Sequence, residues 1–239
     1  MPHRSMSIRE VAAYLHLASA DVEKLVRERE IPCEKQGDRV TFRRSIIDAW
    51  ASQRILALST PRLAEYHSKT SSKVGEFSPD SAVMPALITP ERLNPALTSK
   101  TRSSAIRDLV AMAEKNDLVS DPKELRTMLE EREALCSTAL PGGWAVLHPR
   151  HHDPYLVAES FMVLGRTIQP IHFGSQDGKP TDIFFLLCCQ DDRLHLHTLA
   201  RLCTMCLETP LLNELRTADS GKAMQDIILR TEAEIIRRL

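Results

Sequence analysis

Three short apolar runs do most to limit what this chain can fold into: Trp144-Ala145-Val146-Leu147, Phe161-Met162-Val163-Leu164 and Ile183-Phe184-Phe185-Leu186-Leu187. Each has the length of a strand and no polar interruption. Segments with helical spacing surround them. Residues 100–116 place Ile106, Leu109, Val110 and Met112 on one face, and Asp121-Pro122 opens a helix through Arg132 with proline at its favoured first position. Helices are predicted again over 195–208 and 220–237. Strands and helices in this order predict the α/β class: a three-layer α/β sandwich around a mixed sheet, over residues 85–239.

A different pattern precedes it. Ser7-Ile8-Arg9-Glu10 has the form of a capping box, followed by Val11, Ala12, Leu15 and Leu17 at helical spacing. Ser19 is expected to cap a second helix carrying Val22, Leu25 and Val26. Two short strands around a Gly37-Asp38 turn follow, and Ser45-Ile46-Ile47-Asp48 opens a closing helix with Trp50. This order is a winged helix-turn-helix plan, assigned to residues 1–58. Residues 59–84 turn to Ser, Thr, Pro and Lys, as in Ser68-Lys69-Thr70-Ser71-Ser72-Lys73, and read as a flexible linker.

Composition narrows the function. Over 239 residues, 31 Lys and Arg face 32 Asp and Glu, so any nucleic-acid contact must come from a local patch. Six cysteines, with no N-terminal apolar signal run, do not form a secreted disulfide framework. No apolar run is long enough to span a bilayer, so no membrane insertion is expected and the location expected is cytoplasmic.

The N-terminal segment resembles the small excisionase-type (MerR-like) DNA-binding domain. The similarity rests on Ser7 to Leu15, Gly37 to Ser45 and Ile47-Asp48-Ala49-Trp50. In such domains the second helix and the wing meet DNA. Ser19, Lys24 and Arg27 on the helix, with Arg39, Arg43 and Arg44 near the wing, are the candidate DNA contacts. Asp21 and Glu23 would face phosphate repulsion, and ten basic against eight acidic residues in 1–58 make a weak cationic field. The alternative is a protein-interaction or dimerisation module on the same scaffold, and homo-oligomerisation would aid DNA binding by avidity.

In the second unit, Arg132-Glu133, Ser137-Thr138, Gly142-Gly143 and His148 come in order. Arg166, the stretch Pro170 to Asp182 and His195-Leu196 follow. Together with Leu87-Ile88-Thr89-Pro90-Glu91-Arg92-Leu93, they resemble the type-2 (fructose, mannitol and nitrogen-regulatory) EIIA domains of the bacterial phosphotransferase system. The resemblance implies a phosphoryl relay in which His148 accepts from an HPr-like phosphocarrier, with no cofactor. A neutral imidazole nitrogen suits that work, because histidine titrates near neutrality. His195 would lie beside it, donating to a phosphoryl oxygen or fixing the tautomer. Arg132 would neutralise incoming charge, and Thr138 with the backbone amides around Gly143 would complete a phosphate cradle. Leu147 and Pro149 stand where the family usually has proline and a small residue, and Pro149 stiffens the loop.

The remaining candidates read as structural. His197 is two residues from His195, points elsewhere on a helix and is expected at the surface. His151-His152-Asp153 have no tight metal-ligand spacing, so no metal is expected. Cys203-x-x-Cys206 falls within a helix and, like Cys188-Cys189, reads as core. No nucleophile-elbow pattern supports Ser-His-Asp hydrolysis. The chain is thus expected to be a bacterial regulator, with a DNA-binding domain coupled to an EIIA-like phosphoacceptor. The alternatives are a phosphotransfer component for sugar uptake and a catalytically silent EIIA-like interaction module.

Overall fold

A computed structural model describes residues 5–15, 17–37, 39–44, 46–47, 50–51, 54, 81–150 and 155–238. In the N-terminal unit, β1 (Ser5–Met6) leads into α1 (Ile8–Tyr14), α2 (Ser19–Arg27), β2 (Glu34–Gln36) and β3 (Arg39–Arg43). The strands pair antiparallel in the order β1-β3-β2, and Gly37 supplies the positive φ of 60° at the turn. Helical residues resume at Arg44, Ile46, Ile47, Trp50, Ala51 and Arg54.

The capping box forms as the sequence predicts. Ser7 donates its amide to Glu10 Oε2 at 2.7 Å, and the Glu10 amide donates to Ser7 Oγ at 3.3 Å. The second cap does not form: Ala18 occupies that position in extended backbone, and Ser19 is the first helical residue. With no hydroxyl at Ala18, the first turn of α2 lacks a side-chain acceptor. Val11, Val22, Leu25, Phe42 and Ile47 close the small core, and Trp50 Nε1 donates to the Glu30 carbonyl at 2.7 Å.

The second unit begins with α3 (Met84–Leu87), a 3-10 turn (Pro90–Arg92) and β4 (Leu93–Leu97). Then come α4 (Arg102–Lys115), α5 (Pro122–Leu135), β5 (Ala139–Leu140), β6 (Trp144–Leu147), β7 (Phe161–Ile171) and β8 (Thr181–Cys188). The chain ends with α6 (Asp192–Glu208), α7 (Leu211–Thr217) and α8 (Gly221–Arg238). The five strands lie in the order β4-β7-β8-β6-β5. Parallel pairs β4–β7 and β6–β8 alternate with antiparallel pairs β7–β8 and β5–β6, giving a mixed sheet.

The apolar runs lack alternation because both faces of the sheet are covered. Trp144, Val146, Ile183, Phe185, Leu187, Met162 and Leu164 pack in one core with Met84 and Leu87 of α3 and the buried faces of α6, α7 and α8. Ala145, Leu147, Phe184, Leu186, Phe161 and Val163 pack in the other, against Ile106 and Leu109 of α4 and Leu125 and Leu129 of α5. Helices, sheet and helices make the three layers.

Two buried carboxylates tie the layers to the chain around them. Glu232 on α8, 1% exposed, accepts the amides of Val83 at 2.9 Å and Met84 at 3.1 Å and meets Arg201 Nη1 at 3.4 Å. Glu133 near the end of α5 accepts the Thr138 amide through both oxygens at 3.0 Å, and the Thr138 hydroxyl at 2.8 Å. Burial pushes both carboxyls above the ordinary value, against the pull of these donors.

Candidate functional site

Because β6 and β8 run parallel and adjacent, their C-terminal ends open on the same edge of the sheet. In α/β folds that edge is where ligands gather. The last paired residues are Leu147 and Leu186, so His148 emerges immediately beyond the ladder. Side chains alternate along a strand, and His148 therefore shares the face of Trp144 and Val146, the face covered by α6. From the end of β8 a tight turn starts α6, with Asp191 accepting the Leu194 amide at 3.0 Å and the His195 amide donating to the Asp191 carbonyl at 3.0 Å. His195 thus sits in the first turns of α6 and meets His148, with ring centroids 5.1 Å apart and planes inclined at 49°. Both imidazoles are 2% exposed.

His148 Nδ1 lies 3.0 Å from the Val146 carbonyl oxygen. A carbonyl only accepts, so Nδ1 carries the proton and donates it. The lone pair of the ring then resides on Nε2. The tautomer is set by the backbone two residues upstream.

Arg132, 3% exposed, lies near the C-terminus of α5 and donates Nη1 to the Cys136 carbonyl at 2.8 Å. Its pKa is held below the ordinary arginine value, first by burial and also by the charge of Arg150, while Glu133 and Cys136 act against the fall. Thr138 joins this edge through its carbonyl, which accepts the Val146 amide at 3.3 Å. Its hydroxyl is given to Glu133. His148 and His195 are thus in contact, and Thr138 is joined to the strand of His148 through Val146.

Gly143 stands apart from them. It precedes β6, five residues before His148, so about 16 Å of extended strand separates the two. Its φ of +83° and the 2.8 Å approach that a Cβ there would make to Arg216 show a different task. It leaves room for the Arg216–Asp182 pair, whose two N–H donors reach the carboxylate at 2.8 Å.

His197 departs from the surface position expected of it: it is 4% exposed. Helix α6 is sandwiched between the sheet and α8, and it buries most of its circumference. Cys188, Cys189, Cys203 and Cys206 are buried, as expected of core thiols, and burial raises the Cys203 thiol to about 12. His151, His152 and Asp153 lie outside the described residues, as do residues 59–80 of the expected linker. Among the described residues no group of three or more His, Cys, Asp or Glu is placed to hold a metal, and no helix is long and apolar enough to cross a membrane.

In the N-terminal unit Ser19, Lys24, Arg27, Arg39, Arg43 and Arg44 are all exposed. Several cations already have neighbours. Arg43 Nε meets Glu34 at 2.5 Å, Lys24 meets Glu28 at 4.0 Å, and Arg44 stacks over the Tyr14 ring at 5.5 Å.

Comparison with known proteins matches both units. The family model for the phosphoenolpyruvate-dependent sugar phosphotransferase system, EIIA 2, covers residues 86–231, and that for a helix-turn-helix domain covers 5–55. A nitrogen regulatory protein of Bradyrhizobium diazoefficiens is 29% identical over 144 residues, spanning 59% of this chain and 92% of that protein. The nitrogen regulatory protein of Escherichia coli is 32% identical over 103 residues, spanning 42% of this chain and 62% of that protein. The fructose-specific EIIABC component of Bacillus subtilis is 25% identical over 144 residues, 59% of this chain but 22% of its own length. Among solved structures, IIA-Ntr of Neisseria meningitidis superposes with a TM-score of 0.56 at 21% identity, covering 62% of this chain and 99% of that one. IIA mannitol of Escherichia coli gives 0.51 at 18% identity, covering 59% of this chain and 98% of that one, and both share the fold described above. The chain belongs to the EIIA type-2 family of the phosphoenolpyruvate-dependent sugar phosphotransferase system, with a helix-turn-helix domain ahead of the EIIA domain.

Proposed function

We propose that the protein is a regulator whose EIIA domain accepts a phosphoryl group on His148 from an HPr-like phosphohistidine carrier. The observation that carries this reading is the Nδ1–H donation to the Val146 carbonyl, which presents Nε2 as the nucleophile. The donor's N–P bond breaks as the bond from His148 Nε2 to phosphorus forms, and the electron pair returns to the donor imidazole. His195, with its ring centroid 5.1 Å away, contacts a phosphoryl oxygen. Arg132 offsets the charge that arrives, and the Thr138 carbonyl holds the strand that carries His148. The doubly negative product changes the electrostatics of this edge of the sheet, and the helix-turn-helix domain carries the response to DNA.

Incubation with enzyme I, an HPr-like carrier and phosphoenolpyruvate, followed by intact mass, tests the first step. A gain of one phosphoryl mass that is lost in His148→Ala supports it; an unchanged mass with active carriers refutes it. The DNA step is tested by electrophoretic shift with genomic fragments at low salt, and absence of any shift with the folded chain refutes it. A second reading, a silent interaction module, draws on the 2% exposure of both imidazoles. Under it His148→Ala leaves every partner interaction unchanged.

A further inference from the structure

We propose that Arg150 and Arg132 form a paired-guanidinium site for a tetrahedral oxyanion beside His148, with Arg150 Nε–H donating to one of its oxygens. The inference deepens the phosphoacceptor reading and rests on it for the identity of the anion in the reaction.

The first observation is an orphan donor. Arg150 Nε is buried and has no hydrogen-bond partner among the described residues. A buried cationic N–H without an acceptor is costly, and native structures rarely keep one without a reason. Arg150 lies two residues beyond His148, at the same end of β6.

The second observation is the charge around it. Arg132 is 3% exposed, its guanidinium is held below the ordinary value first by burial, and the nearby charge of Arg150 acts in the same direction. Bringing a buried guanidinium and a partly buried one near each other is unfavourable unless an anion lies beside them. Glu133 is the neighbouring carboxylate, and its oxygens are occupied by the Thr138 amide and hydroxyl. Glu133 therefore acts on Arg132 with both oxygens already engaged, and among the described residues no acceptor meets Arg150 Nε.

The chemistry of the donors selects the ligand. Guanidinium N–H groups are planar and directional, and two of them suit the separated oxygens of a phosphoryl group or of free inorganic phosphate. In the transfer step Arg150 touches the equatorial oxygens, where charge collects in a loose transition state, and so it is a catalytic residue of that step. No bond to Arg150 forms or breaks.

The test separates this site from the phosphorylation of His148. Inorganic phosphate is titrated into the unphosphorylated full chain at low ionic strength, and the arginine Nε–H resonances are followed by nitrogen-resolved NMR. Phosphate is expected to shift the Arg150 Nε–H signal in the wild type and in His148→Ala alike. Arg150→Gln should bind phosphate about ten- to hundredfold more weakly, as expected for loss of one charge-assisted hydrogen bond. Arg150→Lys, which keeps the charge and loses the planar fork, should fall between. Thermal unfolding of each variant establishes that it is folded. Equal phosphate affinity in wild type and Arg150→Gln, or an Arg150 signal unmoved by phosphate, overturns the proposal whatever the fate of His148. If phosphate binds through Arg150 while the carrier assay leaves His148 unmodified, the oxyanion site stands and the phosphoacceptor reading falls.

Discussion

Replacing Glu232 by alanine tests the most consequential contact of the EIIA fold. The carboxylate is 1% exposed, accepts two backbone amides where the chain enters the domain, and sits 3.4 Å from Arg201, which is fully buried. Glu232→Ala breaks this buried ion pair by removing one partner, a change that costs about 3–5 kcal/mol. The orphaned amides of Val83 and Met84 can regain part of their loss from water, so their full desolvation cost is not added. For a domain of this size each kcal/mol moves Tm by about 2–4 °C, and the midpoint is expected to fall by about 6–20 °C. Glu232→Gln keeps one acceptor for the amides and should cost less. Double replacement of Arg201 and Glu232 by methionine should recover stability relative to Glu232→Ala, since two matched apolar groups replace two desolvated ions. Urea unfolding of the four proteins decides the matter. A loss under about 1 kcal/mol in Glu232→Ala, the value of an exposed pair, would refute the reasoning. The pH dependence has a definite sign. Burial raises the folded pKa of Glu232 above its unfolded value, so the folded chain holds that proton more tightly. The stability this carboxyl contributes is greatest in acid and is lost as pH rises from the ordinary carboxylate value through the raised one. The difference between wild type and Glu232→Gln should therefore shrink over that window.

Other perturbations follow from the same geometry. A Cβ at Gly221 would come within 2.2 Å of the Pro90 carbonyl oxygen, which cannot rotate away, so Gly221→Ala should lower the urea midpoint. Gly178→Ala has open space around it and only a φ of +69° to overcome, and should cost about 1–2 kcal/mol by the same measurement. Thiol titration with an aromatic disulfide should find Cys136 reactive in the folded protein and Cys188, Cys189, Cys203 and Cys206 protected until urea is added, because they are buried. Arg43→Ala should weaken any DNA binding less than Arg39→Ala, since Arg43 already pairs with Glu34; competition binding at fixed salt checks the order.

The parts legible in the sequence were those where one physical requirement dominates. The run Trp144–Leu147 forms a strand with those bounds because all four residues are buried between two helix layers. β7 extends past Leu164 to Ile171, and its exposed end, with Ile168 65% exposed, carries no apolar pattern to announce it. β4 is concealed by Asn94 and Pro95; proline is tolerated in this edge strand, and its carbonyl accepts Arg166 Nε at 2.7 Å. Helix α7 spans seven residues, too few for a convincing period. At the site, the approach of His148 to His195 follows from parallel strands whose pairing only the folded sheet reveals. Gly143 is close to His148 in sequence, yet an extended strand turns five residues into a long separation. Arg150 carried no signal of its own beyond standing two places after His148. Its buried, unpartnered Nε is a tertiary fact.

The enclosure of His148 has a kinetic consequence. At 2% exposure the imidazole meets no large partner until the edge of the sheet opens, so any reaction there is an opening step followed by a chemical one. With donor in excess the transfer rate should climb and then level at the opening rate, and two unrelated donors should share the same plateau. A small acylating reagent such as diethylpyrocarbonate reports the same equilibrium without any carrier. It should modify exposed His172 first and His148 later, in proportion to the time the edge stands open.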